Sequence, residues 1–266
     1  MRRLLAILLM FAVFPALGPL ERDPTKPPFA PPSEATLPRD ERGEAIRLGL
    51  RIVRNTPAML PAHVGNSLSC THCHLDAGRR PKAAPFVGVY AAFPQYRARS
   101  ARVDTLEDRI NDCVQRSLNG KPLAHASPEM RALVAYMAWL SEGVPVGIQP
   151  EGKGIPRIFP RRAPDLKAGK QRYAVTCAAC HGPDGAGTGS APPLWGPRSF
   201  SVGAGMARMN TIAAFIKWNM PLGRGGSLSN EEAYDLAAYV LSHERPDFAA
   251  KHLDWPRGGK PADAPY

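Results

Sequence analysis

The chain has 266 residues, 44% of them apolar and 21% charged, and a net charge of +11. That length holds two small packed domains, and the composition excludes a disordered chain, the two ends aside. The basic balance comes without basic-aromatic interleaving or a nucleic-acid motif, which excludes a nucleic-acid partner and fits solubility or an anionic ligand.

At the N-terminus, Arg2 and Arg3 precede an apolar stretch from Leu4 to Leu17 that Pro15 interrupts. It is too short for a comfortable membrane span and reads as an export signal over residues 1–18, giving a periplasmic product. Small residues at Ala16 and Gly18 suit cleavage, whereas Pro19 does not; membrane association is expected only if the signal stays uncut. Residues 19–39 are proline-rich and aperiodic, an extended arm. From Asp40, Ile46, Leu50 and Val53 recur at helical spacing until Pro57, and Ser127-Pro128-Glu129 opens a second helix carrying Leu133, Tyr136 and Leu140. The stretch 40–142 thus reads as one domain. Residues 143–164, broken by five prolines and four glycines, read as a surface linker. The plan then repeats over 165–248. Asp165 caps a helix that runs towards Cys177, and Ser229-Asn230-Glu231-Glu232 opens one carrying Leu236, Tyr239 and Val240. Residues 249–266 form a tail resembling the linker in composition.

Four of the five cysteines lie in two Cys-x-x-Cys-His runs, Cys70 and Cys73 with His74, and Cys177 and Cys180 with His181. Two thiols at that spacing form thioethers with the vinyl groups of one haem, and the adjacent imidazole becomes its proximal ligand. Two covalently bound haem c groups follow. A redox dithiol or half of a zinc site would not require the histidine, and no further cysteine pair completes a four-thiolate site. The fold class is therefore mainly α, with two cytochrome c-like domains in tandem joined by a long Pro/Gly-rich linker. Cys113 has no partner, so no intramolecular disulfide is expected.

Each six-coordinate haem needs a second axial ligand. In the C-terminal half the candidates are Met206, Met209 and Met220, with Met220 favoured because it follows the apolar helix Ile212 to Trp218 and precedes Pro221. Thirty-nine residues separate His181 from Met220, and the same interval from His74 ends on Cys113. A lone cysteine is usually a small buried hydrophobe. This one falls where the duplicate holds its methionine, so thiolate would replace thioether on the first iron, stabilise the ferric state and send electrons towards the second haem. Such a ligand, once released, is also a reactive thiol beside an open coordination site.

Around Cys113 lie Arg97, Arg99, Arg102, Arg109, Arg116, Ser117 and Lys121, groups suited to oxyanions. For Arg97, Arg102 and Arg116 a solvated face or a haem-propionate contact is an equal alternative, whereas Arg109 shares a helix face with Cys113 at i, i+4. The stretches from Leu68 to Gly78, Phe93 to Arg97 and Arg109 to Gly120 resemble those of the dihaem thiosulfate dehydrogenases, and the resemblance spans residues 40–245. It implies coupling of two thiosulfate ions to tetrathionate with two electrons released, in some members reversibly. It further implies that His74 and Cys113 ligate the active-site haem, that Arg99 and Arg109 hold substrate, and that His181 and Met220 ligate the electron-exit haem. Ser117 joins the catalytic set by its place in the cluster. Some relatives carry Lys before the distal Met; here that residue is Asn219, and Lys217 is expected to point elsewhere. The expected acceptor is a small cytochrome c or a high-potential iron-sulfur protein. A non-enzymatic dihaem electron carrier and the haem subunit of a periplasmic sulfur-oxidation complex are the alternatives.

Overall fold

The computed structural model describes residues 26–266, so the expected signal at 1–18 and the start of the arm lie outside the described residues. The described chain is mainly helical. Its α-helices are α1 Glu41–Arg54, α2 Thr56–Met59, α3 Leu75–Gly78, α4 Leu106–Arg116, α5 Pro128–Leu140, α6 Leu166–Thr176, α7 Ala178–His181, α8 Met209–Asn219 and α9 Asn230–Leu241. The caps lie where the residue types place them: Asp40 accepts from Gly43 N, Ser127 from Met130 N, Asp165 from Lys167 N and Ala168 N, and Ser229 from Glu232 N. Pro57 does not end helical structure outright, because it falls in the first turn of α2, where a missing N–H costs nothing. Among the described residues no helix is long and apolar enough to cross a membrane.

The two halves are built on the same crossing. α1 packs on α5 and α6 packs on α9, burying Ile46, Leu50 and Val53 against Leu133 and Tyr136 in one half and Tyr173 against Leu236 in the other. Each crossing is closed by a glycine. A Cβ placed on Gly49 would lie 2.1 Å from the carbonyl oxygen of Ala132, and one on Gly169 would lie 2.1 Å from that of Asp235. The backbones approach too closely for any side chain there.

A short antiparallel ribbon, β1 Gln95–Arg97 with β2 Arg102–Asp104, precedes α4 and was not anticipated. Three residues per strand leave no alternating run to detect. The linker has no helix, as expected, and is pinned by backbone carbonyls: Trp218 Nε1 donates to Pro156 O at 2.8 Å and Tyr234 Oη to Ile158 O at 3.2 Å. The halves meet through Asn66, whose Nδ2 donates to Ser117 O and Ser199 O, and through Asn219, whose Nδ2 donates to Lys82 O at 3.0 Å. The tail is more structured than its composition suggests. It holds a 3-10 turn at Ala249–Leu253 and touches both halves, Trp255 N donating to Arg99 O and Asp263 accepting from Asn210 N.

Gly49→Ala and Gly169→Ala are each expected to lower stability by roughly 1–3 kcal/mol through overpacking. Denaturant unfolding of the variants checks this.

Candidate haem pockets and active site

Two cavities open beside the two Cys-x-x-Cys-His runs. The first is lined by Cys70, Cys73 and His74 and by Cys113 of α4. Cys177, Cys180 and His181 line the second, faced by Met206 and Met220. The histidine of each run is held by a backbone carbonyl. Nδ1 of His74 donates to Ala84 O at 2.5 Å and Nδ1 of His181 to Pro192 O at 2.9 Å, which leaves Nε2 as the ring nitrogen for a ligand, and the His74 ring also hydrogen-bonds the Cys113 thiol. The donors present therefore fit a c-type haem in each cavity.

The carbonyl behind His74 depends on the linker. Lys82 N and Ala84 N donate to Gly152 O and Gly154 O, two glycines at φ +71° and +75°, which holds the 82–84 segment against the ring and brings Lys153 to the rim of the first cavity. Leu68 and Cys73 line both cavities, and Thr71, His72 and Leu75 line the second. The two haem sites thus share a wall made of the first attachment run.

The thiols differ in electrostatics. Burial pushes Cys70 up to about 11, Cys73 to about 12 and Cys177 to about 11, as suits sulfurs destined for neutral thioethers in an apolar cradle. Burial also acts on Cys113, but the Arg109 guanidinium, with a hydrogen bond to His74, outweighs it and brings this thiol down to about 7. The geometry is the one the helix period requires: Arg109 and Cys113 lie one turn apart on α4, and Arg109 Nη1 donates to Sγ at 3.0 Å.

Of the other cations near the motif, Arg97 lines the first cavity from β1 and pairs with Asp104 at 3.6 Å. Arg99 does not line it. Its guanidinium donates to Gly203 O at 2.8 Å and lies 4.7 Å from the centre of the Trp255 ring. Arg102 pairs with Asp104 and Asp108, and Arg116 with Asp112 and Asp254. Ser117 caps the C-terminal end of α4 and likewise lies outside the cavity lining. The sequence reading thus missed Lys153, which the linker carries in, and left Arg97 open between alternatives. In the second cavity Met209 is not among the lining residues, and Lys217 is turned away, its Nζ bonded to Gly226 O and Leu228 O. His63 Nδ1 meets Lys121 O, and His125 faces Asp108, both away from the cavities.

Two attachment runs, two cavities and a helical fold with a repeated crossing define a dihaem c-type cytochrome. Residues 62–146 match the SoxA/TsdA cytochrome c domain, and residues 164–240 match the cbb3-type cytochrome c oxidase subunit III family. The chain is 52% identical over 227 residues to the thiosulfate dehydrogenase of Allochromatium vinosum, covering 82% of this chain and 84% of that protein. It is 45% identical to the thiosulfate dehydrogenase of Psychrobacter arcticus, covering 90% and 75%. The solved thiosulfate dehydrogenase TsdBA from Marichromatium purpuratum superposes with a TM-score of 0.79 at 40% identity, covering 88% of this chain; the present chain spans about half of that one, 51%. The chain belongs to the thiosulfate dehydrogenase family, a thiosulfate oxidoreductase with two covalently bound haems.

His74→Ala and His181→Ala are each expected to abolish the low-spin absorption of one haem only, and His63→Ala and His125→Ala to leave both. Visible spectra of the four variants check the assignment.

Proposed function

We propose that this protein is a periplasmic enzyme that couples two thiosulfate ions to tetrathionate on the Cys113 thiol, with His74 and Cys113 holding the active-site haem and His181 and Met220 holding the exit haem. The observation that carries this reading is the Arg109–Cys113 contact at 3.0 Å inside the first cavity, with His74 hydrogen-bonded to the same thiol. A conductor has no use for a buried thiol drawn towards its anionic form beside a guanidinium.

The chemistry needs cations. Two dianions with charge centres 4 Å apart repel by about 4 kcal/mol even in bulk water, and by more in a cavity. Arg109, Arg97 and Lys153, all lining the first cavity, offset that repulsion. Arg97 takes the substrate-facing place that the resemblance implied for Arg99. In the first step the Cys113 thiolate bonds to the outer sulfur of one thiosulfate and two electrons leave the pair. The second thiosulfate then attacks that outer sulfur, the new central bond forms, and the Cys113 thiolate departs unchanged. The haems supply the electron sink, and an external acceptor such as a small cytochrome c or a high-potential iron-sulfur protein drains it. Periplasmic placement rests on the basic residues and apolar stretch at the N-terminus and on the attachment of c-type haem outside the inner membrane.

Purified protein given thiosulfate and ferricyanide should produce tetrathionate, and its absence would sink the proposal. Cys113→Ser should lose turnover while retaining both haems. Arg109→Gln should lower kcat by roughly 10²–10³-fold, as loss of one fixed donor at a developing charge does. Steady-state kinetics of the two variants check both.

A further inference from the structure

The C-terminal tail ends in contacts that lead back to the thiol. Asp254, its side chain only 3% exposed, receives two bonds from Arg116, Nη1 to Oδ2 at 2.8 Å and Nη2 to Oδ1 at 2.7 Å. Arg116 Nε donates in turn to Asp112 Oδ1. The other oxygen of Asp112 lies 3.6 Å from Arg109 Nη1, the atom that donates to Cys113 Sγ. Carboxylate, guanidinium, carboxylate, guanidinium and thiol therefore alternate without a break from residue 254 to residue 113. Around the outer end, Tyr266 Oη donates to Asp254 Oδ2 at 2.5 Å, Arg99 Nε lies 3.8 Å away, and Trp255 N donates to Arg99 O at 2.8 Å. Arg116 also lies 4.2 Å from the centre of the Phe248 ring, and its carbonyl accepts from Ser201 Oγ at 2.7 Å.

We propose that Asp254 is a positioning residue for the active site, which the tail supplies to hold Arg116, through it Asp112, and so to keep Arg109 on the Cys113 sulfur. This rests on the reading that Cys113 belongs to the first haem. Arg116 is only 11% exposed, so it needs carboxylates to stay in place. With Asp254 and Asp112 sharing it, Asp112 is left able to share Arg109. With Asp254 gone, Arg116 draws on Asp112 alone, and the balance of charge beside the sulfur becomes more positive. The ladder also explains why the arginines of this region are not all free for substrate: Arg99 and Arg116 are held by the tail.

The test is a spectroelectrochemical titration of the dihaem protein. Asp254→Asn should raise the midpoint potential of the first haem and leave that of the second unmoved, because a more positive surround disfavours ferric iron. Arg116→Gln, which removes a positive charge from the middle of the ladder, should lower the first potential. Asp263→Asn is the control: it removes the same charge from the tail's other anchor, where Asp263 accepts from Asn210 N at 2.9 Å, and should leave the first potential unchanged. A first-haem potential unaltered in both ladder variants, with only the melting temperature lowered, overturns the proposal, as does an equal shift in the Asp263 control. Failure of the underlying reading is told apart by Cys113→Ser: if that substitution leaves the first-haem potential unmoved, the thiol is not at the iron.

Discussion

The contact between Arg109 and Cys113 is the constraint on which the proposed active site depends. Burial alone would push this thiol up, as it does Cys70, Cys73 and Cys177, and a charge this close reverses the balance. Helix α4 makes the contact obligatory by placing the two residues one turn apart, and Thr105 fixes the start of that helix with a capping box to Asp108. The proposed function follows from a short stretch of ordinary helix carrying an uncommon pair of side chains.

The rest of the molecule repeats one plan twice. Both halves close a helix crossing on a glycine, both hold the histidine of the run with a backbone carbonyl, and both open a cavity beside the attachment run. One cavity is lined by the thiol of Cys113 and the other by the thioethers of Met206 and Met220. Leu68 and Cys73 belong to both walls, so the two cavities share one side, and under the proposed function an electron leaving the first has a short path to the second. The linker and the tail, which look like filler in the sequence, support the first site: the linker holds the carbonyl of Ala84 behind His74, and the tail holds Arg116.

Much of this was legible in the residues, because the strongest signals are local. A Cys-x-x-Cys-His run names its cofactor, and the caps at Asp40, Ser127, Asp165 and Ser229 mark helix starts from a few neighbouring atoms. The equal interval from each histidine pointed to Cys113 and Met220, and the helix period placed Arg109 against the thiol. Partners set by long-range folding were not legible. Arg97, Arg99 and Arg116 look alike in the sequence, and only the ribbon and the returning tail separate the one that lines the cavity from the two bound near Asp254. Lys153 was hidden for the same reason, since its place depends on two glycine carbonyls pairing with a segment some seventy residues earlier.

Electron paramagnetic resonance of the oxidised, unaltered protein tests the central claim most directly. Two low-spin ferric signals are predicted, one with the narrow g-spread of histidine and thiolate ligation and one with the broader spread of histidine and methionine. Two histidine-methionine signals, with none from a thiolate-ligated haem, would contradict the account.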